Sequence, residues 1–255
     1  MKTIEQLQRN WLLASEINKL EARIWRMSQR EGLKTVLFTS AIRGEGKSTT
    51  ISYLATVLGM YPDRKILLMD FDFRIPSVNK HFGLPQPKGL EQVLEGKISI
   101  DEAITKTDLE SLDMALPTPG KSDPALLLRT REVAAMVDGL RDRYDLILID
   151  TPAIIPVADA TMLLPLADGV ILSVMAGRTT EPQLKRARAI CEGIDARILG
   201  LVVNNVEEAA PEYAADEYGY ASYTPEEVVP PVPTTRRAGN GSPLSRRKTG
   251  SAKKS

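Results

Sequence analysis

A chain of 255 residues is long enough for one large α/β domain with tails, and its 33 basic and 33 acidic residues balance, which excludes the basic excess of a nucleic-acid binder. One cysteine (Cys191) excludes an internal disulfide, and one histidine (His81) excludes a histidine-built zinc cluster. No run of 18 apolar residues and no signal-peptide pattern occurs, so the expectation is a cytoplasmic, soluble protein that reaches a membrane only through a partner or a surface charge patch.

Taken in chain order, residues 12–27 place Leu13, Ile17, Leu20, Ile24 and Met27 on one helical stripe, suited to cap the domain edge or to contact another subunit. Lys34–Ser40 is a short, β-branched apolar run and reads as a buried strand. After it, Ile51, Leu54, Ala55 and Leu58 recur at helical spacing. Arg64–Asp72 reads as a second buried strand ending in carboxylates. Gly89–Glu95 follows as a short helix, Ser111–Pro117 as a strand and residues 124–143 as one or two helices. The pattern continues with a strand at Asp145–Asp150, a helix at 156–166, a strand at 169–175, a helix at 181–193 and a strand at 197–204. Cys191, in an apolar helical stretch, is expected in the core. Apolar strands alternating with helices predict a mostly parallel β-sheet with helices on both faces, whose ligands sit at the carboxyl ends of the strands.

Periodicity fades from about residue 206. Residues 206–227 carry seven acids and no base, and residues 228–255 carry seven bases and no acid. The expected organisation is an N-terminal helical segment (1–31), a nucleotide-binding domain (32–205), an acidic tyrosine-bearing segment (206–227) and a disordered basic tail (228–255) rich in Pro, Gly, Ser and Arg. That tail either folds back on the acidic segment, touches anionic lipid, or is simply solvated.

Between the first strand and the helix lies Ala41-Ile-Arg-Gly-Glu-Gly-Lys-Ser48, an A-x-x-x-x-G-K-S phosphate loop of the Walker A type. Strand, glycine loop and helix in that order make the match specific and identify a P-loop NTPase fold. Gly44 and Gly46 let backbone N–H groups turn towards an anion, and the helix N-terminus adds partial positive charge. Lys47 is suited to the terminal phosphates and the Ser48 hydroxyl to Mg²⁺. Glu45, Thr49 and, at the end of the last strand, Asn204 complete the expected nucleotide contacts.

Three acids fall at strand ends: Asp70, Asp72 and Asp150. A carboxylate after four apolar residues is costly to bury without a partner. Asp150 stands at the Walker B position, where a carboxylate holds Mg²⁺. Asp70 and Asp72, two apart in a strand, are expected to face the nucleotide together with Arg74 beyond them. Such a cluster suits metal binding (Ser48, Asp70, Asp150) and acceptance of a proton from an incoming hydroxyl, which is most of what phosphoryl transfer asks of a protein. Water as acceptor gives an ATPase, and a protein hydroxyl gives a kinase. Tyr213, Tyr218, Tyr220 and Tyr223 crowd into eleven residues of an acidic, aperiodic segment. They are either a docking patch or tethered phosphoacceptors with a high effective concentration at a nearby site.

The phosphate loop, Leu68-Met-Asp-Phe-Asp-Phe-Arg-Ile-Pro-Ser77, Leu146-Ile-Leu-Ile-Asp-Thr-Pro152, Ala158-Asp-Ala160, Ala167-Asp-Gly-Val170 and the tyrosine cluster together resemble the bacterial tyrosine kinases (BY-kinases) of capsule and exopolysaccharide synthesis, over about residues 32–223. The resemblance implies a Mg-ATP-dependent autokinase of its own C-terminal tyrosines. It also implies a homo-oligomeric ring, a transmembrane chain-length regulator as activator and a cognate tyrosine phosphatase. Lys47 and Ser48 then serve phosphate and Mg²⁺, Asp150 is the Walker B acid, and Asp70 or Asp72 takes the tyrosine proton. Departures are Arg43 where the family has proline, Glu21, Arg23 and Arg26 in an E-x-R-x-x-R spacing, and 32 residues after Tyr223. A partitioning-type ATPase would carry a signature lysine at Ile42, and a nucleotide-switched scaffold would not need the intact acids; both fit less well.

Overall fold

The computed structural model describes residues 1–84, 89–118, 123–128 and 131–209. The four tyrosines and the basic tail lie outside them. Two helices, α1 (Lys2–Arg9) and α2 (Trp11–Glu31), precede β1 (Thr35–Ser40), α3 (Lys47–Gly59) and β2 (Ile66–Asp70). Then come α4 (Val78–Phe82), α5 (Leu90–Leu94), α6 (Ile100–Ala103), β3 (Ile104–Lys106), β4 (Leu112–Ala115), α7 (Pro124–Leu127) and α8 (Arg131–Arg141). The chain continues with β5 (Leu146–Asp150), α9 (Asp159–Leu163), β6 (Gly169–Met175), α10 (Glu181–Glu192), β7 (Ile198–Asn204) and α11 (Val206–Ala209).

The strands form one sheet in the order β3-β4-β2-β5-β1-β6-β7, parallel except for the edge strand β3. Strands β1, β2, β4 and β5 are buried at every position, which is why they read as continuous apolar runs. Side chains alternate between two cores. Leu37, Met69, Ile149 and Leu172 pack with Leu90, Val137, Leu163 and Cys191 on one face. Phe38, Leu68, Leu148 and Ile171 pack with Ile24, Ile51, Leu54 and Val78 on the other. The expected parallel sheet with helices on both faces is present, and Cys191 is core.

Helix α3 is buried along nearly its whole length because α1 and α2 cover its outer side, where Leu7, Ala14 and Ile17 meet Tyr53 and Val57. Helix α2 therefore serves as a cover for the phosphate-loop helix. Glu21 is buried and bonds Arg64 at 2.5 Å, and the Arg64 guanidinium lies 4.0 Å from the Trp25 ring and 3.7 Å from the Tyr61 ring. The glutamate of the E-x-R-x-x-R spacing is thus committed within its own chain. Helix α1 lies within the expected helical segment 1–31, ahead of the stripe read over residues 12–27, and buries Thr3 and Leu7. The second strand, expected over Arg64–Asp72, stops at Asp70. The Asp70 carboxylate turns the chain out of the sheet there by accepting the Asp72 N–H at 2.8 Å and the Val78 N–H at 3.4 Å.

Candidate functional site

The carboxyl ends of β1, β2 and β5 are adjacent, with Phe38 opposite Asp150 and Asp70 opposite Asp150. The phosphate loop leaves β1 here. Gly44 and Gly46 both take left-handed conformations, at φ 84° and 81°, that other residues adopt only under strain. Gly46 is the N-cap of α3 and supplies no side-chain acceptor, so N–H groups of the first turn remain for a ligand.

The loop is held from outside. Glu45 is fully buried, and its carboxylate accepts the Ile42 N–H at 2.8 Å and the Thr179 hydroxyl. Asn204 donates from Nδ2 to the Glu45 carbonyl at 2.8 Å and accepts from the Thr50 hydroxyl at 3.2 Å. Both residues were expected to face the nucleotide. Their side chains instead brace the loop, leaving the backbone N–H of Glu45 as its means of meeting an anion. Thr179, which sequence reading missed, lies 134 residues from Glu45, too far apart for a local pattern to reveal the contact.

Lys47 points over the strand ends, with Nζ 3.7 Å from Asp72, 4.0 Å from Asp150 and 3.3 Å from the Ser48 hydroxyl. Burial opposes the charge on Lys47, but Asp150, Asp72 and Asp70 together outweigh it and hold its pKa above the usual value. Burial and the Asp150 charge push Asp70 well above the ordinary carboxylate range. Burial also raises Asp150, against the pull of Lys47. Asp72 does not share a strand face with Asp70. It lies beyond the strand, where its carboxylate accepts the Ile75 N–H at 3.0 Å, yet it reaches the same centre through Lys47. Arg74 is not directed at this centre: its Nε and Nη2 pair with Asp159 at 2.7 and 3.0 Å. Asp168, in the Ala167-Asp-Gly-Val170 stretch, stands at the opposite end of β1, where it accepts the Lys34 and Thr35 N–H groups and pairs with Arg141.

Both Asp150 carboxylate oxygens are buried without a hydrogen bond of ordinary geometry, and Lys47 Nζ stands 4.0 Å from one of them. An ionised carboxylate left so is costly unless a cation joins it. Among the described residues no three Asp, Glu, His or Cys side chains group as a ready metal cage. One carboxylate and one hydroxyl, Asp150 and Ser48, leave room for phosphate oxygens and water, the sparse ligation that Mg²⁺ favours. The residues fit that ion.

The chain matches the AAA domain family over residues 33–180. It is 32% identical over 223 residues to the tyrosine-protein kinase YwqD of Bacillus subtilis (strain 168), spanning 84% of this chain and 92% of that protein. The kinase domain of VpsO superposes with a TM-score of 0.69 at 30% identity, over 78% of this chain and 97% of that one. The septum site-determining protein MinD of Pyrococcus horikoshii OT3, solved with Mg-ADP, shares the fold at a TM-score of 0.59 and 24% identity, over 72% of this chain and 76% of that one. Phosphate loop, strand-end acids and these likenesses agree: the chain belongs to the bacterial tyrosine-protein kinases built on the P-loop fold.

Proposed function

We propose that this chain transfers the γ-phosphoryl group of Mg-ATP to tyrosine hydroxyls, beginning with its own Tyr213, Tyr218, Tyr220 and Tyr223, and thereby regulates capsular or exopolysaccharide synthesis and export. The observation that carries the reading is the centre formed by Lys47, Asp72 and Asp150, with Asp70 beside it. It contains one more acidic pair than nucleotide and metal binding require.

In this scheme the backbone of Gly44–Ser48 and the N-terminus of α3 hold the phosphates, and Lys47 neutralises charge that develops during transfer. Ser48 and Asp150 hold Mg²⁺, which supplies further neutralisation of the phosphate oxygens when bound. The Asp70–Asp72 pair accepts the phenol proton. Burial holds Asp70 above the ordinary carboxylate range, and Asp72 lies beside Lys47. Charge neutralisation and positioning by these side chains supply most of what phosphoryl transfer needs.

A phosphate adds about −1.5 to −2 charges to a segment that already carries seven acids, which favours its release from the site. No helix among the described residues is long and apolar enough to cross a membrane. The proposed setting is the cytoplasm, at the inner face of the plasma membrane, with a transmembrane chain-length regulator as activator. Further copies of this chain and a cognate tyrosine phosphatase complete the proposed partners.

The test is phosphotyrosine formation by the full chain with ATP and Mg²⁺, alongside Lys47→Met and Asp150→Asn. The proposal expects label in the parent and none in either variant. Label that persists in Lys47→Met removes the phosphate loop from the mechanism.

A further inference from the structure

The turn after β6 carries a guanidinium with no evident structural duty. Arg178 is exposed, and no carboxylate among the described residues forms an ion pair with it. Among the described residues, its one side-chain hydrogen bond runs from Nη1 to the Gly44 carbonyl at 3.3 Å. The contact is close, since a Cβ on Gly44 would lie 2.7 Å from that nitrogen.

The turn itself is firmly built. The Arg178 and Thr179 N–H groups donate to the Met175 carbonyl at 3.1 and 2.9 Å, and Thr179 is bonded to Glu45. Gly177, at φ 74°, lies against Ala209. An anchored backbone with an unpaired guanidinium aimed at the phosphate loop is not the pattern of a solvated surface arginine.

Arg178 also lines a cleft of about 460 Å³ together with Met175, Ala176, Asn205 and Glu208. A guanidinium donates hydrogen bonds in its plane, so bonding Gly44 leaves its flat face free for an aromatic ring. Glu208, an acceptor when ionised, and Asn205, both donor and acceptor, suit a base that carries an exocyclic amino group.

We infer that Arg178 couples the seating of the nucleobase to the phosphate loop: its edge holds Gly44 while its face backs an amino-bearing purine in this cleft. The inference rests on the nucleotide site proposed above and adds a positioning residue to it. Base occupancy fixes the guanidinium, and the fixed guanidinium steadies the half of the loop that Gly44 begins. Arg178 thus favours purine nucleotides over pyrimidine nucleotides without touching the reacting phosphoryl group.

The experiment titrates the full chain with a fluorescent ATP analogue and competes it with ATP, UTP and tripolyphosphate, which has no base. Arg178→Gln, Arg178→Lys and Lys47→Met are compared with the parent. Arg178→Gln should weaken ATP about three- to tenfold and shrink its preference over UTP, while tripolyphosphate competes as before. Arg178→Lys keeps the charge but not the planar face, so it should fall between the two. Unchanged ATP affinity in Arg178→Gln overturns the inference. So does an equal loss for ATP and tripolyphosphate, which would make Arg178 a brace for the loop alone. Parent-like nucleotide binding by Lys47→Met would instead overturn the phosphate-loop reading itself, and so separates the two failures.

Discussion

Replacing Gly46 by alanine attacks the loop at its most constrained point, and the structure gives a magnitude. A left-handed conformation costs a non-glycine residue about 1–2 kcal/mol. The added Cβ would lie 2.5 Å from Asn204 Nδ2 and 2.9 Å from its Cγ, so that side chain must move. Moving it gives up the bonds to the Glu45 carbonyl and the Thr50 hydroxyl, each worth about 1 kcal/mol. The sum is about 3–4 kcal/mol. At about 2–4 °C per kcal/mol for a domain of this size, melting should fall by roughly 6–16 °C in a calorimetric scan.

Gly44→Ala meets only the flexible end of Arg178 and should cost the backbone strain alone, about 1–2 kcal/mol. The combination Gly46→Ala with Asn204→Ala tests the cause directly. The clash and the Asn204 bonds are then lost once rather than twice, so the double variant should be about 2 kcal/mol less destabilised than the sum of the singles. Strict additivity, or a Gly46→Ala melting point within about 2 °C of the parent, would refute the reasoning.

Further outcomes follow from other contacts. Lys47→Met should lower phosphotransfer by about 10²-fold or more while circular dichroism stays at the parent spectrum. Arg64→Ala leaves buried Glu21 without its cation and two rings without their filling, so denaturant unfolding should report a loss of about 3–5 kcal/mol. The pair Glu21→Leu with Arg64→Met should recover most of that loss. Burial alone would raise Asp168, but the Lys34 and Thr35 N–H groups and Arg141 more than offset it and hold its pKa below the ordinary value. Its contribution to stability is therefore present above the unfolded-state value, about pH 3.9, and is lost as pH falls below that through the lower folded-state value. Asp168→Asn should be less stable than the parent at neutral pH, and the gap should narrow as pH falls below about 4 in parallel melts.

The parts of this molecule that a sequence displays are those fixed by neighbours in the chain. Strands β1, β2 and β5 are buried on both faces, so each announced itself as an apolar run with an acid or hydroxyl at its end. The phosphate loop was legible because glycines, lysine and serine sit in consecutive positions between a strand and a helix. What escaped was either short or long-range. Strand β3 has three residues and pairs only at the sheet edge, and α4 and α6 have five and four residues, too few to show a period. The end of β2 is not visible in the sequence because the Asp70 carboxylate competes for the next backbone N–H groups, a local preference that apolar patterning does not register. Arg74 looked like a site cation because its partner, Asp159, lies 85 residues away. The bracing of the loop by the Glu45 side chain escaped for the same reason, its hydroxyl partner lying on the turn after β6.

The central claim, that this phosphate-loop centre serves tyrosine transfer, is tested most directly by mapping phosphosites on the full chain after incubation with γ-labelled ATP and Mg²⁺. The measurement is made on the parent and on a variant with Tyr213, Tyr218, Tyr220 and Tyr223 all changed to Phe, each with and without a fragment of a chain-length regulator. The account predicts label on those four tyrosines in the parent and its loss in the variant. ATP hydrolysis without labelled tyrosine in either condition, or undiminished label in the four-Phe variant, would contradict it.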